Sequence, residues 1–107
     1  MQIDVDSEFQ PDPARREHIL EQDLGFGLYF TDRMFTARYD EEGGWHDARI
    51  GPFTNLSLSP AAAVFHYGQA IFEGQKAYRR VDGAIALFRP EQNARRFQRS
   101  EIGRAHV

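Results

Sequence analysis

The chain has 107 residues, 41% of them apolar, with nine Phe, four Tyr and one Trp, enough to build one modest domain around a single core. Its formal net charge of −3 leaves no electrostatic footprint for nucleic acid or anionic lipid, although basic residues gather in the C-terminal third. Cysteine is absent, which excludes disulfides and thiolate metal sites, and no apolar run is long enough to read as a membrane span.

The opening Met1-Gln2-Ile3-Asp4-Val5-Asp6 is acidic and lacks the charged-then-apolar pattern of a signal peptide, so a soluble, cytoplasmic protein is expected. Residues 1–22 read as an N-terminal arm and a short helix. Pro11-Asp12-Pro13 blocks a regular element, and Asp12 serves as a helix cap with Pro13 at the first helical position, leading into Ala14 to Gln22. In Leu24-Gly25-Phe26-Gly27 two glycines let the backbone turn while presenting the ring between them; Phe26 reads equally as a plug of the core and as a pocket wall. Met34 to Tyr39 and Trp45 to Ile50 are extended runs joined by Glu41-Glu42-Gly43-Gly44, which predicts a hairpin. Trp45 is expected to be structural. His46, beside the turn, reads as a surface residue; His18 and His106 are isolated, and no His/Asp/Glu spacing matches a metal site, so no metal is expected.

Ser59-Pro60-Ala61-Ala62-Ala63 predicts a helix start, with serine as cap and proline in the first turn, running to about Tyr67. Ile71 to Arg80 alternates loosely and is expected to pair with Ala84 to Arg89 across Val81-Asp82-Gly83, where Asp-Gly is a tight-hairpin signal. Arg89-Pro90-Glu91 opens another helix through Asn93, Arg96 and Phe97. No repeat or low-complexity segment is present.

The stretch with the densest mixed chemistry is His66 to Arg80, H-Y-G-Q-A-I-F-E-G-Q-K-A-Y-R-R, where aromatics, a carboxylate, a lysine and two glycines lie between helix and hairpin. Function is expected here. Glu73 and Lys76 fall in one motif and could pair on the strand surface; neither is assigned a chemical step.

Six blocks in one order carry a resemblance: Leu24-Gly25-Phe26-Gly27; Phe30-Thr31-Asp32-Arg33-Met34-Phe35; Gly44-Trp45-His46-Asp47-Ala48-Arg49-Ile50; His66-Tyr67-Gly68-Gln69; Phe72-Glu73-Gly74-Gln75-Lys76-Ala77-Tyr78; and Phe88-Arg89-Pro90. Together, from about Leu24 to Ser100, they resemble the N-terminal small domain of branched-chain-amino-acid aminotransferases, class IV pyridoxal-phosphate enzymes of amino-acid biosynthesis. The resemblance implies an α/β (α+β) fold, the small domain of the D-amino-acid aminotransferase-like fold, with a twisted, largely antiparallel sheet and packed helices. It implies transfer of an amino group between leucine, isoleucine or valine and 2-oxoglutarate, with pyridoxal 5'-phosphate as electron sink.

On the matching positions, Arg96 stands where the family's phosphate-binding arginine stands, a task that suits a permanently charged, forked guanidinium. Taken by itself Arg96 is one exposed charge among Arg95, Arg96 and Arg99. Phe26, Tyr67 and Phe72 fall on the positions that wall the apolar substrate pocket, Tyr67 reaching into the site of a partner subunit, which implies a homodimer; each also reads as a core aromatic. The family's Schiff-base lysine lies in a large C-terminal domain and is not Lys76, so the chain is expected to hold no catalytic residue and to be inactive alone. After Ser100 the sequence departs from the family: Glu101-Ile102-Gly103-Arg104-Ala105-His106-Val107 loses the helix's apolar stripe, and Gly103 weakens it further. Those seven residues back-translate to a short-read sequencing adapter, so residues 101–107 are expected to be a non-native tail on a truncated small domain spanning 23–100. Two rivals stand beside this reading. Another class IV enzyme, a D-amino-acid aminotransferase or an aminodeoxychorismate lyase, shares the fold but not the Gly-Trp-His-Asp-Ala-Arg and Phe-Glu-Gly-x-Lys-Ala-Tyr blocks; a stand-alone domain would bind a ligand or partner without chemistry.

Overall fold

The computed structural model describes residues 2–105, the last three by backbone alone. His106 and Val107, the end of the expected tail, lie outside the described residues. The architecture is mixed α/β with mostly antiparallel pairing, in two compact units that divide between Leu56 and Ser57.

The first unit is built on a three-stranded sheet of order β1-β3-β2, with β1 (Asp4–Val5), β2 (Arg33–Asp40) and β3 (Gly44–Pro52). The predicted hairpin is β2 and β3, antiparallel from Arg33 against Pro52 to Asp40 against Gly44. Its turn closes as the residue types dictate: Asp40 Oδ1 accepts from the Gly43 amide at 2.5 Å, and Gly44 takes φ +68°. Tyr39 faces Trp45, with ring centroids 5.2 Å apart. The register slips between Thr36 and Arg38, so residues 47 and 48 stand opposite Ala37, and Asp47 sits in this bulge at φ +52°. The sequence does not announce the bulge, because a left-handed bulge position ordinarily signals itself with glycine.

The arm contributes a strand that was not expected. Asp4 and Val5 pair in parallel with Arg49 and Ile50, the Asp6 amide donates to Ile50 O at 2.9 Å, and Arg49 Nη2 lies 3.2 Å from Asp6 Oδ2. Helix α1 (Pro13–Leu20) starts as predicted, with Pro13 in its first turn and Asp12 Oδ1 accepting from the Arg15 amide at 3.1 Å. It ends at Leu20, two residues earlier than expected. Arg15 Nη2 then donates to Phe30 O at 3.2 Å, and the Phe30 and Phe53 rings stack with centroids 5.5 Å apart.

In the second unit the predicted serine cap is corrected. Ser59 Oγ accepts from the Ala61 amide at 3.1 Å and Ser59 O from the Ala62 amide at 2.9 Å, a local turn that spends the hydroxyl before any helix begins. Helix α2 is only the single turn Ala63–His66, with Ala62 at its cap and no side-chain cap bond. The predicted strand from Ile71 is also shorter: β4 is Ala77–Arg79, paired antiparallel with β5 (Ile85–Leu87). The Gly74 carbonyl accepts from the Asn93 side chain at 2.8 Å, which takes it out of a ladder. The hairpin turn forms as read. The Gly83 amide donates to Arg80 O at 3.0 Å, Gly83 takes φ +87°, and Asp82 Oδ1 accepts from the Ala84 amide at 3.0 Å. Helix α3 (Pro90–Ala105) follows with Glu91 in its first turn, and its backbone stays helical through Gly103.

The single aromatic core expected from composition is not found. Among the described residues Ala48, 2% exposed on β3, is the buried apolar side chain, while Trp45, Phe53, Phe65, Tyr78 and Phe88 stand at the surface. Sheets of two or three strands, each with one short hairpin, offer too little second layer to cover their faces.

Candidate functional site

The side chains that combine charge, shielding and directed hydrogen bonds lie in the second unit, where the loop after Phe72 meets α3. Asn93 and Arg96 are three residues apart on α3, hence on one face of the helix. Both reach Glu73. Arg96 Nε donates to Glu73 Oε2 at 2.7 Å and Arg96 Nη2 donates to Oε1, a two-pronged pair. Asn93 Nδ2 donates to the same Oε1 at 3.0 Å and to Gly74 O at 2.8 Å. The Glu73 side chain is 12% exposed, the Arg96 side chain 60%. The guanidinium, and after it the Asn93 amide, hold the Glu73 carboxyl down to about 2, from the usual 4.5. Glu73 in turn pushes Arg96 up from its ordinary value.

The pairing of Glu73 with Lys76 is therefore corrected: the carboxylate turns to α3 because that side offers a fork and an amide at matched spacing, whereas a strand neighbour offers one flexible ammonium. The signal available in the sequence was the Asn93-x-x-Arg96 spacing, which puts two donors on one helix face.

The aromatic candidates stand as follows. Tyr67, the C-terminal cap residue of α2, is 80% exposed, and Phe72, immediately before Glu73, is 72% exposed; neither is a core aromatic. The Phe72 ring lies back over the loop at Gly74, where a side chain would meet it at an ordinary contact distance of 3.7 Å. Phe26 belongs to the first unit and is 85% exposed between Gly25 at φ +57° and Gly27 at φ +71°, which rules out the core-plug alternative there. The neighbouring cleft of about 340 Å³ is lined by Ile19, Leu24, Tyr29, Phe30 and the two glycines rather than by the Phe26 ring.

A second charged group sits at the β2–β3 hairpin. His46 Nε2 is 2.8 Å from Asp40 Oδ2 and Nδ1 is 3.3 Å from Asp47 Oδ2, so the histidine read as a lone surface residue is held between two carboxylates. Asp40 also closes the turn, and Asp47 occupies the bulge, so this group secures the hairpin.

No family model matches the chain. Curated proteins do, and they are aminotransferases. The chain is similar over most of its length to branched-chain-amino-acid aminotransferases in particular. It is 54% identical over 91 residues to branched-chain-amino-acid transaminase 1 of Bacillus subtilis (strain 168), covering 85% of this chain and 23% of the relative. It is 58% identical over 76 residues, 71% of this chain and 21% of the relative, to a protein of Streptomyces coelicolor named a probable branched-chain-amino-acid aminotransferase. It is 53% identical over 87 residues, 81% of this chain and 23% of the relative, to the branched-chain-amino-acid aminotransferase of Mycolicibacterium smegmatis. The chain thus spans about a quarter of the length of the curated relatives it matches.

Proposed function

We propose that this sequence supplies the small-domain segment, residues 23–100, of a cytoplasmic, homodimeric branched-chain-amino-acid aminotransferase, which exchanges amino groups between leucine, isoleucine or valine and 2-oxoglutarate. The observation that carries the reading is 54% identity sustained over 91 residues with a transaminase of that name. Residues 101–107 stand outside that segment as a non-native tail.

Pyridoxal 5'-phosphate, when bound, supplies the electron sink for amino transfer. Arg96 is the residue of this chain that would hold its phosphate. The fit is supported by the fork itself: Glu73 takes Nε and one side of Nη2, while the N–H groups of Nη1 and the outer side of Nη2 take no partner among the described residues, on a side chain 60% exposed. Phe26, Tyr67 and Phe72 would wall the branched substrate side chain and keep water from it, Tyr67 from across the dimer. Apolar walls suit a substrate that differs from its competitors by methyl groups. In this reading no residue of the segment, Lys76 included, is given the role of the lysine that carries the cofactor.

The test is a chimera in which residues 24 to 100 replace the matching stretch of the Bacillus subtilis transaminase. Glutamate formation from leucine and 2-oxoglutarate is expected at a rate comparable to the parent, and its loss in a folded chimera would sink the assignment. Within the chimera, Arg96→Ala is expected to weaken cofactor retention after dialysis about ten- to a hundred-fold. Arg95→Ala, about 100° around the helix, is expected to leave it unchanged. Equal retention in both variants would return Arg96 to the solvated surface.

A further inference from the structure

The pair at the centre of the second unit is lopsided. Its carboxylate is shielded, at 12% exposure, and its guanidinium is open, at 60%. Three groups converge to make it so. Gly74 O accepts from Asn93, fixing the amide; Asn93 gives its nitrogen to Glu73 Oε1; and Glu73, held from that side, grips the Nε and Nη2 edge of Arg96. A surface arginine ordinarily samples many rotamers, and one gripped along its side edge by a fixed carboxylate samples few. What is left to face outward is the end edge, Nη1 with the outer N–H of Nη2, a two-toothed donor of the geometry that phosphate oxygens accept.

We infer that Glu73 is a positioning residue, which fixes the side edge of Arg96 so that the end edge is presented, already ordered, to a phosphate group. The inference rests on the assignment of Arg96 to the cofactor phosphate and adds a residue to it. Two physical effects of Glu73 oppose each other. Its charge repels an incoming phosphate, while its grip spares the anion the cost of ordering the arginine. The repulsion weakens as salt rises, whereas the ordering is insensitive to salt. Binding compared at two salt concentrations therefore separates the two, positioning being the effect that persists at the higher one.

The experiment is nuclear magnetic resonance on the 107-residue chain and on two variants, Glu73→Gln, which removes the charge, and Glu73→Asp, which keeps it but withdraws the carboxylate by one methylene. The β4–β5 amide resonances report that each variant keeps the second unit folded. The first readout needs no ligand: the Arg96 Nε–H resonance is expected to be sharp and slow to exchange in the original chain and lost to exchange in both variants. The second is titration with inorganic phosphate at 0.15 M and 0.5 M salt, in which both variants are expected to bind about three- to ten-fold more weakly at Arg96 than the original chain. An Arg96 Nε–H that exchanges equally fast in all three proteins overturns the positioning role and leaves the phosphate assignment standing. Tighter phosphate binding by Glu73→Gln with no change in Glu73→Asp also overturns it, since charge alone would then govern. An ordered Arg96 that ignores phosphate in the original chain overturns the phosphate assignment and, with it, the purpose inferred for Glu73.

Discussion

At the scale of single residues, Glu73 shows how much a partner changes what a side chain is. Alone in the Phe-Glu-Gly motif it is an ordinary strand carboxylate; gripped by Arg96 and Asn93 it holds its charge down to a pKa of about 2. A carboxyl whose folded value lies below its unfolded one contributes stability above the unfolded value, near 4.5, and loses it as the pH falls toward 2. A carboxyl-carbon titration of Glu73 is expected to show a midpoint near 2 in the original chain and a return toward 4.5 in Arg96→Ala. An unshifted midpoint in the original chain would contradict the pair. The family motif singled out Arg96 from Arg95 and Arg99 as a candidate for the phosphate, without indicating that it is paired. Its partner was not legible in the sequence, because Glu73 and Arg96 are 23 positions apart and nothing local couples them. Asp47 was illegible for the opposite reason: a non-glycine at φ +52° looks like any other strand residue until the register slip is seen.

At the scale of elements, success followed local chemistry. The Asp12-Pro13 start of α1, the Asp40 to Gly44 turn and the Asp82-Gly83 turn all formed where short-range side-chain bonds satisfy orphan backbone groups. Asp12 is thus a working cap, and Asp12→Ala is expected to destabilise the first unit by about 1 kcal/mol, read as a lower midpoint in urea with an unchanged slope. No shift in midpoint would mean that solvent serves the Arg15 amide equally well. Where the sequence reading failed, an equally local bond won. Ser59 spent its hydroxyl two residues on instead of capping α2, and Gly74 gave its carbonyl to Asn93 on α3 instead of to a ladder. The parallel strand β1 lies in an opening stretch that alternates polar and apolar positions, Met1-Gln2-Ile3-Asp4-Val5-Asp6, but alternation alone does not say which distant strand it pairs with.

At the scale of the whole molecule, the composition promised a core that the fold does not assemble. Phe26, Tyr67 and Phe72 stand 72% to 85% exposed, and Trp45, Phe65 and Phe88 join them at the surface. Surfaces of this kind are covered in stable proteins, so the chain is expected to associate as its concentration rises and to bind an apolar dye; a monodisperse monomer that binds none would argue that these faces are content in water. The arm's parallel pairing sets an order of events. The β2–β3 hairpin joins neighbours across a three-residue turn, but β1 must wait for Ile50, far along the chain, and closes a long loop for two ladder residues and the Asp6 amide. On a ribosome the arm emerges first and waits unpaired until the hairpin has formed, and in the finished protein the arm is expected to be the first strand to fray. Amide exchange at Asp6, which donates to Ile50 O, is expected to outrun that at Phe53, which donates to Asp32 O beside the hairpin, and a protease working on the folded chain is expected to take the arm before anything else.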